Sequence, residues 1–113
     1  MNTADAVSGY SALIPDGHPF QERVPARLTL QFPFLSPGSY ASEVQCPILF
    51  AICGKDSVAP AGATMEYAKA APKGVIKSYI DVGHFEIYCG QPFEEAIQDY
   101  KQFFRDCLPT NIH

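Results

Sequence analysis

The order of apolar and polar positions predicts alternating strands and helices in the second half of the chain. Residues 48–53 (ILFAIC) form an unbroken apolar run, typical of a strand covered on both faces in a parallel sheet. Residues 61–71 are alanine-rich, and Pro72 and Gly74 follow them, which predicts a helix that ends there. Residues 75–82 (VIKSYIDV) alternate in part, which indicates a second strand nearer the sheet edge.

A long amphipathic helix is predicted over residues 92–108. Apolar side chains recur there at helical spacing, and charged side chains take the other face. Pro92 in the first turn and Pro109 after the end bracket it. The order strand, helix, strand, helix predicts an α/β layer with right-handed crossovers. Two strands cannot bury their own faces and also cover the aromatic side of this helix, so we expect further sheet to complete the layer.

Residues 1–45 have a different texture. They are rich in Pro and Gly, and their one predicted helix is residues 25–32, with Pro25 at an allowed first position and Pro33 ending it. We therefore predict a loop-rich, lid-like covering segment with a short helix at 1–45, followed by the strand–helix–strand–helix portion at 46–113.

Composition and charge narrow the class of protein. The chain has 113 residues, 47% of them hydrophobic, and a net charge of −4, which fits one small globular domain. Because no run of Lys or Arg occurs, we expect neither nucleic acid nor an anionic membrane surface as a partner. No apolar stretch reaches the roughly 18 residues that span a bilayer. No basic region precedes an apolar core at the N-terminus, so we expect a cytoplasmic protein.

The four cysteines indicate no metal site and no disulfide framework, because their spacing matches no zinc motif. Cys53 lies in the apolar run and Cys107 on the apolar face of the last helix, and we interpret both as small buried side chains. A structural metal or a disulfide is the less favoured alternative, and a reducing compartment is the default. We expect no cofactor, since no phosphate-binding glycine loop occurs. His18 and His113 receive no role.

Two residues combine the right chemistry with the right positions. Asp56 and His84 each follow closely on one of the two predicted strands. In open α/β sheets ligands bind beyond the carboxyl ends of the strands. If the strands are neighbours, at about 4.8 Å, the carboxylate can reach the imidazole. Such a carboxylate fixes the tautomer of a histidine that acts as a general base. Gly54 and Gly83 would allow tight turns just before the two positions.

Each residue also has a plainer interpretation. An Asp after a strand is most often a turn former or a helix cap, and a single His is most often a surface residue. Two other carboxylates compete for the histidine. Asp81 lies on the predicted strand and is expected to point away from the strand ends, while Glu86 could support the histidine indirectly. We prefer Asp56.

Residues 45–108 resemble the C-terminal part of an α/β-hydrolase, in particular the serine peptidase, esterase and dienelactone-hydrolase-like branch. The resemblance is carried by CPILFAICGKDSVAP (46–60), where the acid of that family follows its seventh strand, and by YIDVGHFEIY (79–88), where GHF holds the catalytic histidine. The final helix and the segment VPARLTLQFPFLSPGSYASEV (24–44) are also similar. The resemblance implies a partial α/β-hydrolase fold, with Asp56 as triad acid and His84 as its base.

The nucleophile of that family, a serine in a GxSxG elbow, does not occur in this sequence. The nearest match, VSGYSAL, contains Ser8 and Ser11 but lacks the second glycine, and Ser39 lies in a Pro/Gly loop. Without a nucleophile or oxyanion hole, acyl transfer is not expected from this chain alone.

Three hypotheses follow. The preferred one is the C-terminal fragment of a serine hydrolase acting on ester or peptide-type acyl bonds, with a small-molecule ester or amide as substrate. The next is a non-catalytic interaction module whose partner, or a second copy, completes the sheet. The third is a small enzyme that uses the Asp–His pair as a general base on water. Substrate identity stays open. The side chains of Phe32, Phe34, Leu35 and Tyr40 suggest an apolar pocket wall, although ordinary packing of a covering loop is the preferred interpretation.

Overall fold

The computed structural model describes residues 5–18, 25–31 and 34–108. The predictions that concern Val24, Phe32, Pro33, Pro109 and His113 lie outside the described residues.

The described residues form helices and one small parallel sheet. In chain order they are α1 (Ala6–Leu13), α2 (Ala26–Gln31), a 3₁₀ helix at Pro37–Glu43, β1 (Ile48–Cys53), α3 (Ala61–Ala70), β2 (Gly74–Tyr79), a 3₁₀ turn at Glu86–Tyr88 and α4 (Gly90–Cys107). The second half therefore has the predicted order of elements, and the described fold is α/β. None of the helices among the described residues is long and apolar enough to cross a membrane.

The two strands are parallel neighbours, and their register sets the two faces of the sheet. Pairing runs from Ile48 opposite Gly74 to Cys53 opposite Tyr79. Side chains alternate along a strand, so these two pairs lie on opposite faces. Helix α3 packs on the face of Gly74, where a Cβ atom would meet the backbone of Ala68. Helix α4 packs on the face of Cys53 and Tyr79.

A polar cluster of Lys77, Tyr79 and Asp99 joins α4 to β2. Asp99 of α4 accepts a hydrogen bond from the Tyr79 hydroxyl at 2.8 Å and forms an ion pair with Lys77 at 2.8 Å. Lys77 and Tyr79 are two residues apart and therefore share the face that α4 covers. Near this polar cluster, Cys53 packs with Ile87 and Ala96 in a small hydrophobic core. The polar cluster fixes where the last helix lies along the strand.

The helices approach the sheet through alanine. Ala68 of α3 is 2% exposed and Ala96 of α4 is 1% exposed, and no large side chain among the described residues is fully buried. Much apolar surface stays in solvent, including Phe93 and Phe104 on the aromatic side of α4. The interior of the described part is therefore built mainly from small side chains.

Several predictions about local structure were wrong. The second strand ends at Tyr79 because Ile80 and Asp81 form a turn, closed by the Val82 amide donating to the Tyr79 carbonyl at 3.2 Å. Cys107 is exposed because the last two turns of α4 lie mostly in solvent, with only Phe103 half-buried among residues 101–108. Cys53 is buried as expected. Helix α1 was not predicted. The described part of the covering segment therefore contains α1 in addition to the predicted helix, which is α2 (Ala26–Gln31).

Candidate active site

The loop after β1 presents the Asp56 side chain next to the sheet. The carboxylate oxygen Oδ1 of Asp56 accepts hydrogen bonds from the backbone amides of Val58 at 2.8 Å and Ala59 at 2.7 Å. This is the local turn-forming pattern typical of an Asp after a strand. The same carboxylate therefore closes its own loop, and its second oxygen remains available for another partner.

The loop after β2 presents His84. The backbone amide of Lys55 donates to the carbonyl of Val82 at 3.0 Å, which ties the two loops together. The backbone amide of Gly83 donates to the Glu86 carboxylate at 2.7 Å, which closes the loop around the histidine. These two hydrogen bonds thus fix the loop that carries His84.

The two side chains meet as the strand positions predicted. The Nδ1 atom of His84 lies 2.9 Å from Oδ2 of Asp56 and 3.1 Å from Oδ1. The side chains are partly buried, at 23% exposure for His84 and 11% for Asp56. A carboxylate accepts only, so Nδ1 carries the proton in this contact and Nε2 is left to act as a base or acceptor when the ring is neutral. The predicted contact is confirmed, and its catalytic role stays a prediction.

Hydrogen bonding determines the charge state of the acid. Burial on its own would raise the pKa of Asp56, but the Ala59 amide, His84 and the Val58 amide together outweigh it, and the pKa lies below its ordinary value. Asp56 is therefore an anion at neutral pH. Burial raises the pKa of the nearby Cys53 thiol, and the negative charges of Asp56 and Glu86 raise it further.

The competing carboxylates lie elsewhere. Asp81 is exposed in the turn after β2 and pairs with Lys55 at 2.9 Å. Glu86 accepts a hydrogen bond from the Gly83 amide and so supports the histidine loop, but it does not hydrogen-bond to the imidazole ring. Of the three acids, Asp56 alone bonds to His84 in the described part of the chain.

The two glycines act differently from the expectation. Neither Gly54 nor Gly83 has a positive φ angle. Gly54 is instead needed for close packing, because a Cβ there would overlap the backbone of Ile80 in the turn after β2. At Gly83 a Cβ would lie 3.3 Å from the Glu86 carboxylate, a contact that a small shift relieves. Close approach of the two loops, not turn conformation, explains Gly54.

Helix α1 also contributes to the site, which the sequence did not reveal. The Ser57 hydroxyl donates to the Asp5 carboxylate at 2.7 and 3.0 Å. Gly9 lies flat against the ring of Phe85, and Tyr10 packs edge-on against the same ring, with 4.9 Å between the ring centres. These pairs are separated by more than 45 residues in the sequence, and no local pattern announces them.

Two cavities meet at His84. The α1 cavity, of about 390 Å³, lies between α1 and the histidine loop and is lined in part by Ser8, Lys55 and Glu86. The edge cavity, of about 270 Å³, is lined in part by β1, by Thr64 of α3 and by Tyr100 of α4.

The hydroxyl of Ser8 donates to the Asp5 carbonyl at 3.2 Å. Among the described serines none bonds to the histidine. The same residues contain no group of three metal-binding side chains.

Curated relatives resemble this chain over most of its length. The chain is 43% identical over 110 residues to the quorum-quenching protein AidA of Acinetobacter baumannii (strain MDR-ZJ06), a match that covers 97% of the chain and 36% of that protein. It is 35% identical over 82 residues to an uncharacterised 31.7 kDa protein from the traX-finO intergenic region of Escherichia coli, covering 71% of the chain and 28% of that protein. The chain thus spans about a third of the length of these relatives. No family model and no solved structure matches it.

Proposed function

We propose that this chain is the C-terminal part of a serine hydrolase with the α/β-hydrolase fold, which cleaves ester or peptide-type acyl bonds in small molecules. Asp56 is the acid of its catalytic triad and His84 is the general base. The nucleophile and the oxyanion hole belong to sequence that this chain does not contain.

One observation carries the proposal: the bond between Asp56 and Nδ1 of His84 just past adjacent strand ends. An acid at Nδ1 holds the imidazole in the tautomer whose Nε2 can take a proton from a hydroxyl, and it stabilises the imidazolium that forms. Asp56 is ionised and partly buried, so it can do both. A surface ion pair would not need this placement at the carboxyl ends of parallel strands, where α/β sheets bind ligands.

Two features of the curated relatives are compatible with the proposal. They are about three times as long as the matched region, which leaves room for a nucleophile and further strands. The Acinetobacter relative is named for quorum quenching, and hydrolysis of an acyl bond in a signal molecule is a chemistry that would serve that purpose. We take a small acyl signal as the corresponding substrate class for this chain.

The chain alone is expected to be inactive, because a base without a hydroxyl to deprotonate cannot form an acyl-enzyme. Purified chain assayed with p-nitrophenyl acetate and butyrate should match its His84→Ala variant and the buffer blank. Hydrolysis that disappears in the His84→Ala variant would instead support the general-base alternative.

A hybrid protein tests the hydrolase assignment directly. The matched region of the Acinetobacter relative is replaced by this chain, and ester hydrolysis is measured in parallel for the hybrid and for its Asp56→Ala and His84→Ala variants. We expect hydrolysis in the parent hybrid, a loss of at least about 1,000-fold in the His84 variant, and labelling by a serine-directed fluorophosphonate. A folded hybrid whose activity does not depend on His84 would refute the assignment.

A second candidate is an interaction module whose partner completes the sheet. The sheet has two strands in the described part of the chain, so β1 pairs on one edge only. The edge cavity follows that strand between α3 and α4, and a larger cavity of about 550 Å³ continues past Ile48 and Phe50. An open strand edge beside such cavities can pair with a further strand.

Size-exclusion chromatography with light scattering distinguishes this candidate. An interaction module that uses its own copy as partner would form a dimer. Phe50→Lys would weaken this dimer, whereas the control Val7→Lys, at an exposed position of α1, would not. A compact monomer with a cooperative thermal transition would argue against self-association through β1.

A further inference from the structure

Helix α1 touches both loops of the acid–base pair. Through Asp5 it binds Ser57, the residue that follows Asp56. Through Gly9 and Tyr10 it packs on Phe85, the residue that follows His84. A single eight-residue helix therefore spans the two loops from outside, with contacts directly adjacent in sequence to both members of the pair.

The carboxylate of Asp5 connects the start of α1 to the loop of Asp56. Asp5 occupies the N-cap position of α1, where an Asp side chain ordinarily accepts a bond from the first turn. Its side chain makes no such capping bond. The carboxylate instead accepts the one hydrogen bond that the Ser57 hydroxyl can donate, with its two oxygens 2.7 and 3.0 Å from the hydroxyl oxygen. Because this contact is exposed to solvent, its contribution is that of an ordinary hydrogen bond.

The contact with the histidine loop depends on a missing side chain. A Cβ atom at Gly9 would overlap the ring of Phe85, so only glycine lets the helix lie this close. The ring of Phe85 in turn packs edge-on against the ring of His84, with 4.9 Å between the centres. Phe85 therefore lies in contact with both α1 and the imidazole of His84.

We propose that α1 is a clamp that positions the Asp56–His84 pair, with Asp5 and Gly9 as positioning residues that act through Ser57 and Phe85. The clamp deepens the hydrolase proposal, and its catalytic benefit rests on that proposal. The geometric claim stands by itself: releasing α1 loosens the bond between the two side chains. It can therefore be tested on the chain without any catalytic activity.

The experiment is NMR spectroscopy of the folded chain with labelled histidine. The imidazole proton on Nδ1 of His84 is observed, and its exchange with water is measured in the parent and in Asp5→Ala, Ser57→Ala and the double variant. We expect each single variant to speed exchange by about 5- to 10-fold, the range that loss of one hydrogen bond implies. The double variant should be no faster than Asp5→Ala alone, because Ser57→Ala removes a bond that Asp5→Ala has already removed.

Controls separate the clamp from general loosening. Asp5→Asn keeps an acceptor for the Ser57 hydroxyl and should restore slow exchange. Asp16→Ala removes an exposed acid beyond the end of α1 and should change nothing. Gly9→Ala should speed exchange through the other arm of the clamp. Circular dichroism confirms folding in each case, and if Asp5→Ala fails to fold, Ser57→Ala carries the test.

The outcomes distinguish the clamp from the proposed function. Asp56→Asn must abolish the slow Nδ1 signal, because it replaces the acceptor. If that variant does so while Asp5→Ala and Ser57→Ala leave exchange unchanged, the clamp is wrong and the hydrolase proposal is untouched. If the exchange results hold and the hybrid shows no His84-dependent hydrolysis, the clamp stands and the hydrolase proposal falls.

Discussion

Three substitutions at the acid–base pair separate the structural role of Asp56 from its role toward His84. Oδ1 of Asp56 accepts both backbone amides, and Oδ2 makes the shorter contact with His84. Asp56→Ala removes all of these interactions. His84→Ala removes one of them. Asp56→Asn can keep its oxygen on the two amides, which leaves the amide nitrogen of Asn facing the ring.

The geometry gives an order of magnitudes for the free energy of unfolding. Loss of a hydrogen bond to a charged group costs about 1.5–3 kcal/mol, and such losses are not additive within one network. We therefore expect Asp56→Ala to cost about 2–4 kcal/mol and His84→Ala about 1–2 kcal/mol. Asp56→Asn should cost about 1 kcal/mol, because the loop keeps its closing bonds.

The Asn variant also reverses the tautomer. Its NH₂ group donates to Nδ1 of His84, so the ring proton moves to Nε2, and the base is lost while the fold remains. Urea unfolding at pH 7 followed by circular dichroism measures the stabilities, and ¹⁵N shifts of the imidazole report the tautomer. Equal costs for Asp56→Ala and His84→Ala, or an unchanged tautomer in the Asn variant, would show that Asp56 does not hold the loop and the ring at once.

Further outcomes follow from the loops, the charges and the thiols. Gly54→Ala should destabilise the chain by about 1–3 kcal/mol in urea unfolding, because the new Cβ meets the Ile80 backbone; the control Gly62→Ala, in open space on α3, should stabilise it by about 0.5–1 kcal/mol. Bonds from Lys77 and Tyr79 lower the pKa of Asp99, and the pKa of Asp56 is also lowered, so the stabilising contribution of both carboxylates is complete above their ordinary value of 3.8 and is lost as the pH falls through the folded-state pKa values. The free energy of unfolding, measured in urea between pH 6 and pH 2.5, should therefore decline below about pH 4. This decline should be smaller in Asp56→Asn, and an equal decline would contradict the reasoning. With Ellman's reagent on the folded chain, three thiols should react at once and Cys53 at least about tenfold more slowly, because it is buried and its pKa is raised; the fast three are Cys46, Cys89 and Cys107.

The second half of the chain was predictable because its signals are local and strong. The apolar run gave β1 with the bounds that the structure shows, and the periodicity of α4 was right to within two residues. The approach of Asp56 to His84 followed from parallel strands alone. The predicted end of β2 was wrong because Ile80 has the side chain of a typical strand residue. It is nevertheless 74% exposed and lies in a turn that backbone hydrogen bonds close.

Helix α1 could not be predicted from its own residues. It contains Gly9 and two serines, which have modest helix propensity, and no capping bond marks its start. Its place depends on partners about 50 and 75 residues away in sequence, Ser57 and Phe85. Tertiary contact overrides weak local preference in such a segment, and a single sequence carries no signal for it.

The alanines between helices and sheet imply an unusual direction of mutational sensitivity. Interiors built from large side chains suffer most when a residue shrinks, since a void remains. Here Ala68 and Ala96 are among the most buried positions, and they have only one methyl group to lose. Growth is the greater danger, because a Val or Leu at either site pushes a whole helix away from the strands. A complete substitution scan of this chain would therefore find its least tolerant interior sites where volume is added, and evolutionary drift toward a bulkier interior would need both helices to move outward together.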